Sequence, residues 1–258
     1  MLLTVRQVAV FALMLARLAG LFVAAPILNA RTFPTVAKMA MATWIAVLFW
    51  FVVPVSGQLP QSAVPFVMAV VVEFMIGLLL GFASDLIVTA VEFGGSLMDS
   101  QMGMSVGQTL DPMSGTQTTI IARLLRWMTT LMFLAVGGHH MLMSAIYQSF
   151  KLLPVGQPVY FAGAAEDLVT LAASMFAVGT QLAMPIILVI FFLDFSLGMI
   201  SRVAPQVNVF QLGFEIKPTL GGLIFVMMTP FMLAYVSPLI ERTVDNLLMV
   251  MRHMQVGG

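Results

Sequence analysis

Long, uninterrupted hydrophobic runs dominate the pattern of apolar and polar positions along the chain. A helix that spans a bilayer needs about 20 mostly apolar residues, and several stretches approach that length. They are Val8–Leu28, Met39–Val53, Val64–Ala83, Trp127–Tyr147, Leu168–Leu193 and Thr219–Ile240. None alternates apolar and polar residues as the strands of a membrane barrel do. The pattern therefore predicts an all-α integral membrane protein, with one membrane-embedded domain over residues 1–258.

Two of these runs are irregular. The distribution of charges in the loops also does not fix the orientation of the chain in the membrane. Met39–Val53 is short for a complete span, and Pro185 should kink the run Leu168–Leu193. If all the runs span, one face of the membrane holds four Lys and Arg residues and the other holds six. This difference is too small to decide the orientation by the positive-inside rule. The connections 84–126 and 194–218 are too long and apolar for ordinary loops, so we expect both to be structured.

One face of the third run, Val64–Ala83, and of the sequence that follows it carries polar or small residues. Its members follow one another at spacings of three or four, which places them on one face of a continuous helix. They are Glu73, Gly77, Gly81, Asp85, Thr89, Glu92, Ser96 and Asp99. An ionised carboxylate at mid-bilayer costs roughly 3 kcal/mol on insertion scales, so these acids should avoid lipid. The polar stripe predicts an aqueous conduit or polar subunit interface, or a helix-packing face with protonated or paired acids; a proton relay is a third interpretation.

The segment 101–119 combines turn residues with hydrophobic ones. Three Gly residues and Pro112 make a continuous helix improbable, and Asp111-Pro112 favours a turn. The methionines of this segment could pack adaptably against changing partners. The composition fits either a soft seal or an ordinary buried connection.

Composition excludes several classes of function. Of the 258 residues, 60% are hydrophobic and only 9% are charged, whereas soluble domains carry about 25% charged residues. The formal net charge is +0 and there is no basic stripe, so we expect no nucleic-acid partner. The chain has no Cys, which excludes disulfides and thiolate metal sites. We expect no cofactor.

Signatures of enzymes are weak. Residues 103–107 read Gly-Met-Ser-Val-Gly and match a nucleophile elbow, but that motif needs a strand–turn–helix junction and no strands are predicted. The side chains of adjacent His139 and His140 should diverge by about 100° on a helix, which disfavours a shared metal. Arg17 lies within an apolar run and should pair with an acid from another helix. We therefore predict that the chain is not an enzyme.

Several motifs, in order across nearly the whole chain, resemble one family. They are Arg17 with Ala25-Pro26-Ile27-Leu28, Arg31, Pro34 and Lys38; Gln101-Met102-Gly103; Leu110-Asp111-Pro112 with Ser114; Phe133-Leu134 with Gly138-His139; Ser149-Phe150 with Leu153-Pro154; and Gly198 with Ser201–Phe210 and Leu212-Gly213-Phe214. The chain resembles the FliR family of flagellar type III export-gate proteins, which is similar to the SctT component of virulence secretion systems. The stretch Arg-x-Ala-Pro-Gln-x-Asn-Val-Phe at 202–210 is the most specific of these motifs.

The resemblance implies a subunit of the flagellar type III secretion export gate, needed for flagellum assembly. In that family, kinked helical hairpins assemble with P-type and Q-type subunits (FliP and FliQ) into a spiral around an export channel. FlhB-like and FlhA-like proteins are further partners, and unfolded export substrates pass through the lumen. The location implied is the bacterial inner membrane, within the flagellar basal body. A virulence SctT-type gate subunit and a proton-coupled secondary transporter are the alternatives.

The resemblance also places a pore loop at 101–119, which we expect to be a plug that closes the resting channel. The expected plug and gasket residues are Met102, Gly103, Met104, Val106, Gly107, Thr109, Leu110, Asp111 and Pro112.

A second group of residues is expected to pack against other subunits, because charges and amides amid apolar helices need partners. These residues are Arg17, Arg202, Pro205, Asn208 and Gly213. The acids of the polar stripe, Glu73, Asp85, Glu92 and Asp99, complete the candidate site.

Overall fold

The computed structural model of the chain describes residues 5–26, 34–53, 60, 62–105, 119–157 and 159–255. Within these ranges the secondary structure is helical and contains no strand, which confirms the predicted all-α fold. The helices are α1 (Val5–Ala24), α2 (Thr35–Val52), α3 (Ala63–Gln101), α4 (Ile120–Ala135), α5 (Gly138–Leu152), α6 (Phe161–Val203), α7 (Val209–Glu241) and α8 (Thr243–Gln255).

Most of the predicted hydrophobic runs correspond to helices that are apolar enough for a membrane. In the described part of the chain, five helices are long and apolar enough to cross a bilayer, or six if the bent pair α4–α5 counts as one span. α3 and α6 have 39 and 43 residues and extend well past the predicted runs. The polar stripe had predicted the continuation of the third run as far as Asp99, whereas the run that ended before Asp194 gave no sign that α6 continues to Val203. α6 also continues through Pro185, and the kink expected at this residue stays a prediction.

The predicted run Trp127–Tyr147 is divided into two helices, so the prediction of a single helix there was wrong. α4 ends at Ala135 and α5 begins at Gly138, with a bend of 68° between them. Gly137 has φ +84°, a left-handed conformation that glycine adopts readily and that cannot continue a right-handed helix. The apolar residues 131–136 and 141–143, on either side of the sequence Gly-Gly-His-His, conceal the break from hydropathy.

The first compact unit contains Met1–Leu86, Phe133–Ala172 and Ile240–Gly258. Within it, α1 packs against α2 and α5 packs against α8. α1 and α3 approach closely because Gly20 and Gly77 have no side chain: a Cβ on either would overlap the backbone of the other helix. Close approach at small residues is a common basis of helix association in membranes.

The second compact unit contains Ile87–Met132 and Ala173–Leu239. Here Gly94 of α3 meets Gly179 of α6, and Gly95 of α3 lies against Ala122 of α4. A Cβ on Gly94 or Gly95 would collide with the facing backbone. The single membrane-embedded domain stays a prediction, since each unit is assembled from segments that are distant in sequence.

Candidate functional site

Arg17 is enclosed in the first unit, where its guanidinium makes hydrogen bonds in several directions. Its Nε donates to Oε2 of Glu73 at 2.6 Å, and its other nitrogens donate to the Ser149 hydroxyl at 3.2 Å and the Leu153 carbonyl at 2.9 Å. The guanidinium carbon lies 4.5 Å from the centre of the Phe150 ring. Arg17 has no exposed surface. The predicted pairing of Arg17 with an acid from another helix is therefore confirmed.

Glu73 accepts a further hydrogen bond from the chain that follows α5. Its Oε1 accepts the Gly156 N–H at 2.9 Å, and only 1% of the residue is exposed. Arg17 and Glu73 thus join α1, α3 and α5 with the turn after α5. We predicted that Arg17 packs against other subunits, but its contacts lie within the chain and its side chain has no exposed surface for a second subunit.

The remaining acids of the stripe, Glu92 and Asp99 in the second unit and Asp85 in the first, also have partners. Glu92 forms an ion pair with Arg126 of α4, in which both side chains are partly exposed. Asp99 is buried, and its carboxylate accepts the N–H groups of Ile121 at 3.3 Å and Ala122 at 3.0 Å. Asp85 is partly buried and has an interaction partner as well.

Asp99 performs the task of an N-cap for α4 although it belongs to α3. Ile121 and Ala122 are the second and third residues of α4, whose N–H groups lack acceptors within the helix. Thr119 precedes α4 and is a typical N-cap residue, yet its buried hydroxyl has no hydrogen-bond partner among the described residues. A carboxylate at this end also stabilises the helix dipole. This contact was missed because nothing in the sequence relates Asp99 to a helix that begins 21 residues later.

The polar stripe therefore lies on one continuous helix and is used for packing within the chain. Glu73, Glu92 and Asp99 each engage another segment, and Gly77 and Gly81 give α1 its close approach. Among the interpretations offered for the stripe, the contacts fit a packing face with paired acids. The burial of Glu73 and Asp99 does not fit an aqueous conduit along these two residues.

The end of α3 gives the described plug residues a local structural role. The Met104 N–H donates to the Asp99 carbonyl at 3.0 Å and the Gly103 N–H donates to the Ser100 carbonyl at 3.2 Å. With φ +77° at Gly103, this is the Schellman arrangement that ends a helix. The Met102 side chain is 1% exposed and lies against Gly221 of α7. We expected Met102 and Gly103 to be gasket residues, but one packs within the chain and the other ends a helix, while Met104 is partly buried.

The other predicted plug residues lie outside the described part of the chain. They are Val106, Gly107, Thr109, Leu110, Asp111 and Pro112. Ser105 follows the end of a helix instead of a strand, so the Gly-Met-Ser-Val-Gly sequence does not have the setting of a nucleophile elbow.

The most specific motif forms the turn between α6 and α7. Arg202 is exposed in the last turn of α6, where a cation interacts favourably with the helix dipole. Pro205 follows Ala204, whose carbonyl accepts the Val207 N–H at 3.0 Å, so the proline has the second position of a four-residue turn. Asn208 caps α7, since its Oδ1 accepts the Gln211 N–H at 3.2 Å. We predicted that Asn208 contacts other subunits, whereas its side-chain oxygen is used by its own helix.

The helical hairpin α6–α7 has polar contacts at two levels and an apolar exterior. Lys217 and Asp194 are joined at 2.7 Å, and the Tyr235 hydroxyl donates to Gln181 at 2.7 Å. Gly213 is buried in a groove of about 480 Å³ that includes the Lys217–Asp194 pair. The exposed faces carry large hydrophobic side chains, among them Phe191, Phe192, Phe195, Phe210 and Phe214.

The described residues contain no cluster of His, Asp and Glu able to hold a metal ion.

Comparison with known proteins gives a consistent assignment. A family model described as "Bacterial export proteins, family 1" matches residues 8–243. The flagellar biosynthetic protein FliR of Bacillus subtilis is 28% identical over 242 residues, which cover 92% of each chain. FliR of Pectobacterium carotovorum is 31% identical over 219 residues, which cover 83% of this chain and 84% of that protein. The Yop proteins translocation protein T of Yersinia pestis is 27% identical over 237 residues, which cover 90% of each chain.

The matched residues include the Arg17 cluster, the polar stripe and the turn between α6 and α7. Since the family model covers most of the sequence and the FliR proteins match nearly end to end, the chain belongs to the bacterial export proteins, family 1.

Proposed function

We propose that the chain is the R-type subunit of a flagellar type III export gate in the bacterial inner membrane. The observation that carries this proposal is the end-to-end similarity to proteins named for flagellar biosynthesis. In this proposal the chain forms part of the channel wall for unfolded flagellar proteins and performs no catalysis. Its partners are P-type and Q-type gate subunits, with FlhB-like and FlhA-like proteins bound to the assembled gate.

The distribution of polar groups supports a role as one wall of a larger assembly. The Arg17–Glu73 pair and Asp99 are buried inside the chain. The α6–α7 hairpin instead exposes large apolar side chains, for example 81% of Phe210 and 62% of Phe195. Such surfaces suit lipid or the apolar helices of sister subunits, and they do not suit water.

The more specific part of the proposal concerns the pore plug. We assign residues 101–119 to a plug that closes the resting channel. Two contacts in the second unit support this assignment, because they hold both ends of the segment: the Schellman turn at Gly103 and the Asp99 contact with the start of α4. A loop with fixed ends can yield to a passing polypeptide without unravelling the helices that bear it.

A gene deletion tests the flagellar function directly. Removing the gene from the bacterium should abolish flagella and the release of flagellar subunits into the medium, and a plasmid copy should restore both. If secretion of virulence effectors is lost while flagella persist, the similarity to the Yop translocation protein T gives the correct function. Normal export in the deletion strain would contradict both versions.

The plug is tested by conductance of the purified gate in a planar bilayer. Deleting residues 105–113 should make the resting gate leak ions. A Gly-Ser replacement of equal length separates the loss of an apolar seal from the loss of chain length, and should leak as well. Unchanged conductance in both variants would contradict the plug while leaving the export function intact.

The transporter alternative is not favoured by the contacts of the acids it requires. Glu73 accepts hydrogen bonds from Arg17 and Gly156, and Glu92 is paired with Arg126. Carboxylates that hold helices together are poor candidates for ligands that must bind and release an ion in each cycle.

A further inference from the structure

A groove of about 530 Å³ lies between α1 and α2 in the first unit. On α1 the small side chains of Ala12, Ala16 and Ala19, at spacings of three and four, leave space beside the helix, and Leu15, Phe22 and Val23 complete an apolar lining. Met39 and Ala42 of α2 form the opposite wall. Both helices are apolar enough to cross a membrane, so a hydrocarbon chain would find an apolar lining in this groove.

The end of the groove formed by the first turn of α2 has the opposite character. Lys38 and Thr35 line it there, and Lys38 has no acidic partner among the described residues. The first turn of α2 contains no acid, and its N-cap residue, Pro34, makes no side-chain hydrogen bond to the helix. The first N–H groups of α2, which have no acceptor within their own helix, and the helix dipole add partial positive charge to that of the ammonium group.

We propose that this groove binds one anionic phospholipid, with an acyl chain between α1 and α2 and the phosphate at Lys38 and Thr35. A positive site at one end of an apolar groove is complementary to a molecule with an anionic head and a hydrocarbon tail. Basic pockets between membrane helices bind lipid headgroups on this principle. An apolar protein helix in the same groove would leave the Lys38 ammonium without a counter-charge in a poorly hydrated place.

The proposal requires membrane insertion of the chain and does not depend on export activity. It also gives α2 a role that its packing within the chain does not explain, because only Ala42 and Ala46 of its 18 residues are buried. A bound lipid would cover part of the remainder and hold α2 against α1.

The test measures lipids bound to the purified protein, together with whatever subunits co-purify, by native mass spectrometry in mild detergent. After removal of native lipid, micelles doped with either phosphatidylglycerol or phosphatidylcholine are added at equal concentrations. Phosphatidylglycerol should bind at one site and more tightly than phosphatidylcholine. Glycerol phosphate without acyl chains should not compete. Equal retention of the two lipids would overturn the proposal.

Two pairs of variants locate the site. Lys38→Gln should weaken phosphatidylglycerol binding about fivefold, which is the effect of one Lys near an anionic headgroup. It should leave phosphatidylcholine binding unchanged. Lys151→Gln on α5 is the matched control and should change the binding of neither lipid. Ala16→Phe should reduce binding of both lipids by filling the groove, whereas Val8→Phe, on the exposed face of α1 outside the groove, should not.

The outcomes also distinguish a lipid from a protein occupant. If Lys38→Gln retains phosphatidylglycerol like the wild type, the headgroup site is wrong. If Ala16→Phe leaves lipid binding intact but removes a co-purifying subunit, the groove is a protein interface and the lipid proposal is overturned.

Discussion

Two ion pairs that α3 forms, Arg17–Glu73 and Arg126–Glu92, have the same chemistry and very different surroundings. In the first unit the side chains of Arg17 and Glu73 are 0% and 2% exposed. In the second unit those of Arg126 and Glu92 are 36% and 22% exposed. Solvent-exposed pairs contribute about 0–1 kcal/mol, whereas removing one partner of a buried pair costs roughly 3–5 kcal/mol. One helix therefore carries a pair on which folding depends and a pair that the protein can lose.

The difference arises from how many segments converge on each pair. Around Arg17 and Glu73, hydrogen bonds also come from the Ser149 hydroxyl, the Leu153 carbonyl and the Gly156 N–H. These groups satisfy the buried charges and exclude water from them. The spacing of acids along α3 places them on one face, but the depth of each depends on which other segments fold over it.

The largest effect is expected from Arg17→Ala. This change leaves the Glu73 carboxylate buried with only the Gly156 N–H, and should destabilise the protein by roughly 3–5 kcal/mol. An SDS titration followed by tryptophan fluorescence measures the loss. Arg126→Ala is the matched control on the second pair, and equal losses for the two variants would contradict the comparison.

Replacing both buried partners sharpens the comparison. The double variant Arg17→Met with Glu73→Leu should recover most of the stability lost in Arg17→Ala, because apolar side chains of similar size can replace a buried ion pair at little or no cost. The same SDS titration measures the recovery. A double variant as unstable as the single one would mean that the hydrogen bonds to Ser149 and Leu153 matter more than the paired charge.

An intermediate effect is expected at Asp99. Asp99→Ala removes the acceptor for two N–H groups at the start of α4 and should cost about 1–2 kcal/mol. Hydrogen exchange of the Ile121 and Ala122 amides should accelerate. Asp99→Asn, which keeps one acceptor oxygen, should lose less, and unchanged exchange in Asp99→Ala would show that another group caps α4.

The smallest effect is expected from Glu92→Gln. Since the pair with Arg126 is partly exposed, stability should fall by about 0–1 kcal/mol, and by less at high salt because salt screens exposed charges. Unfolding midpoints at low and high salt measure this dependence. A large, salt-independent loss would show that Glu92 is as critical as Glu73.

The sequence predicts much of the fold and less of the site. Hydrophobic runs locate most of the helices, and a lone arginine among apolar residues correctly predicts a partner such as Glu73. The break at Gly137 is missed because a left-handed glycine is invisible to hydropathy. Asn208 was assigned to other subunits because an amide near apolar residues suggests a distant partner, yet Gln211 of its own helix supplies it. Contacts between remote segments, such as Asp99 with α4, have no local signal.

The bend between α4 and α5 raises the question of whether the chain crosses the membrane six times or five times. If this pair enters and leaves on one side, five crossings remain, and Lys151, Arg242 and Arg252 change sides together with Arg202 and Lys217. Apart from Arg17, which lies in the middle of α1, the Lys and Arg residues then divide seven to three instead of six to four, with Arg31, Lys38, Arg123 and Arg126 on the richer side. The positive-inside rule would place that side in the cytoplasm. Since the chain has no native cysteine, single cysteines at 123 and 151 can report by impermeant labelling whether both positions face the same compartment.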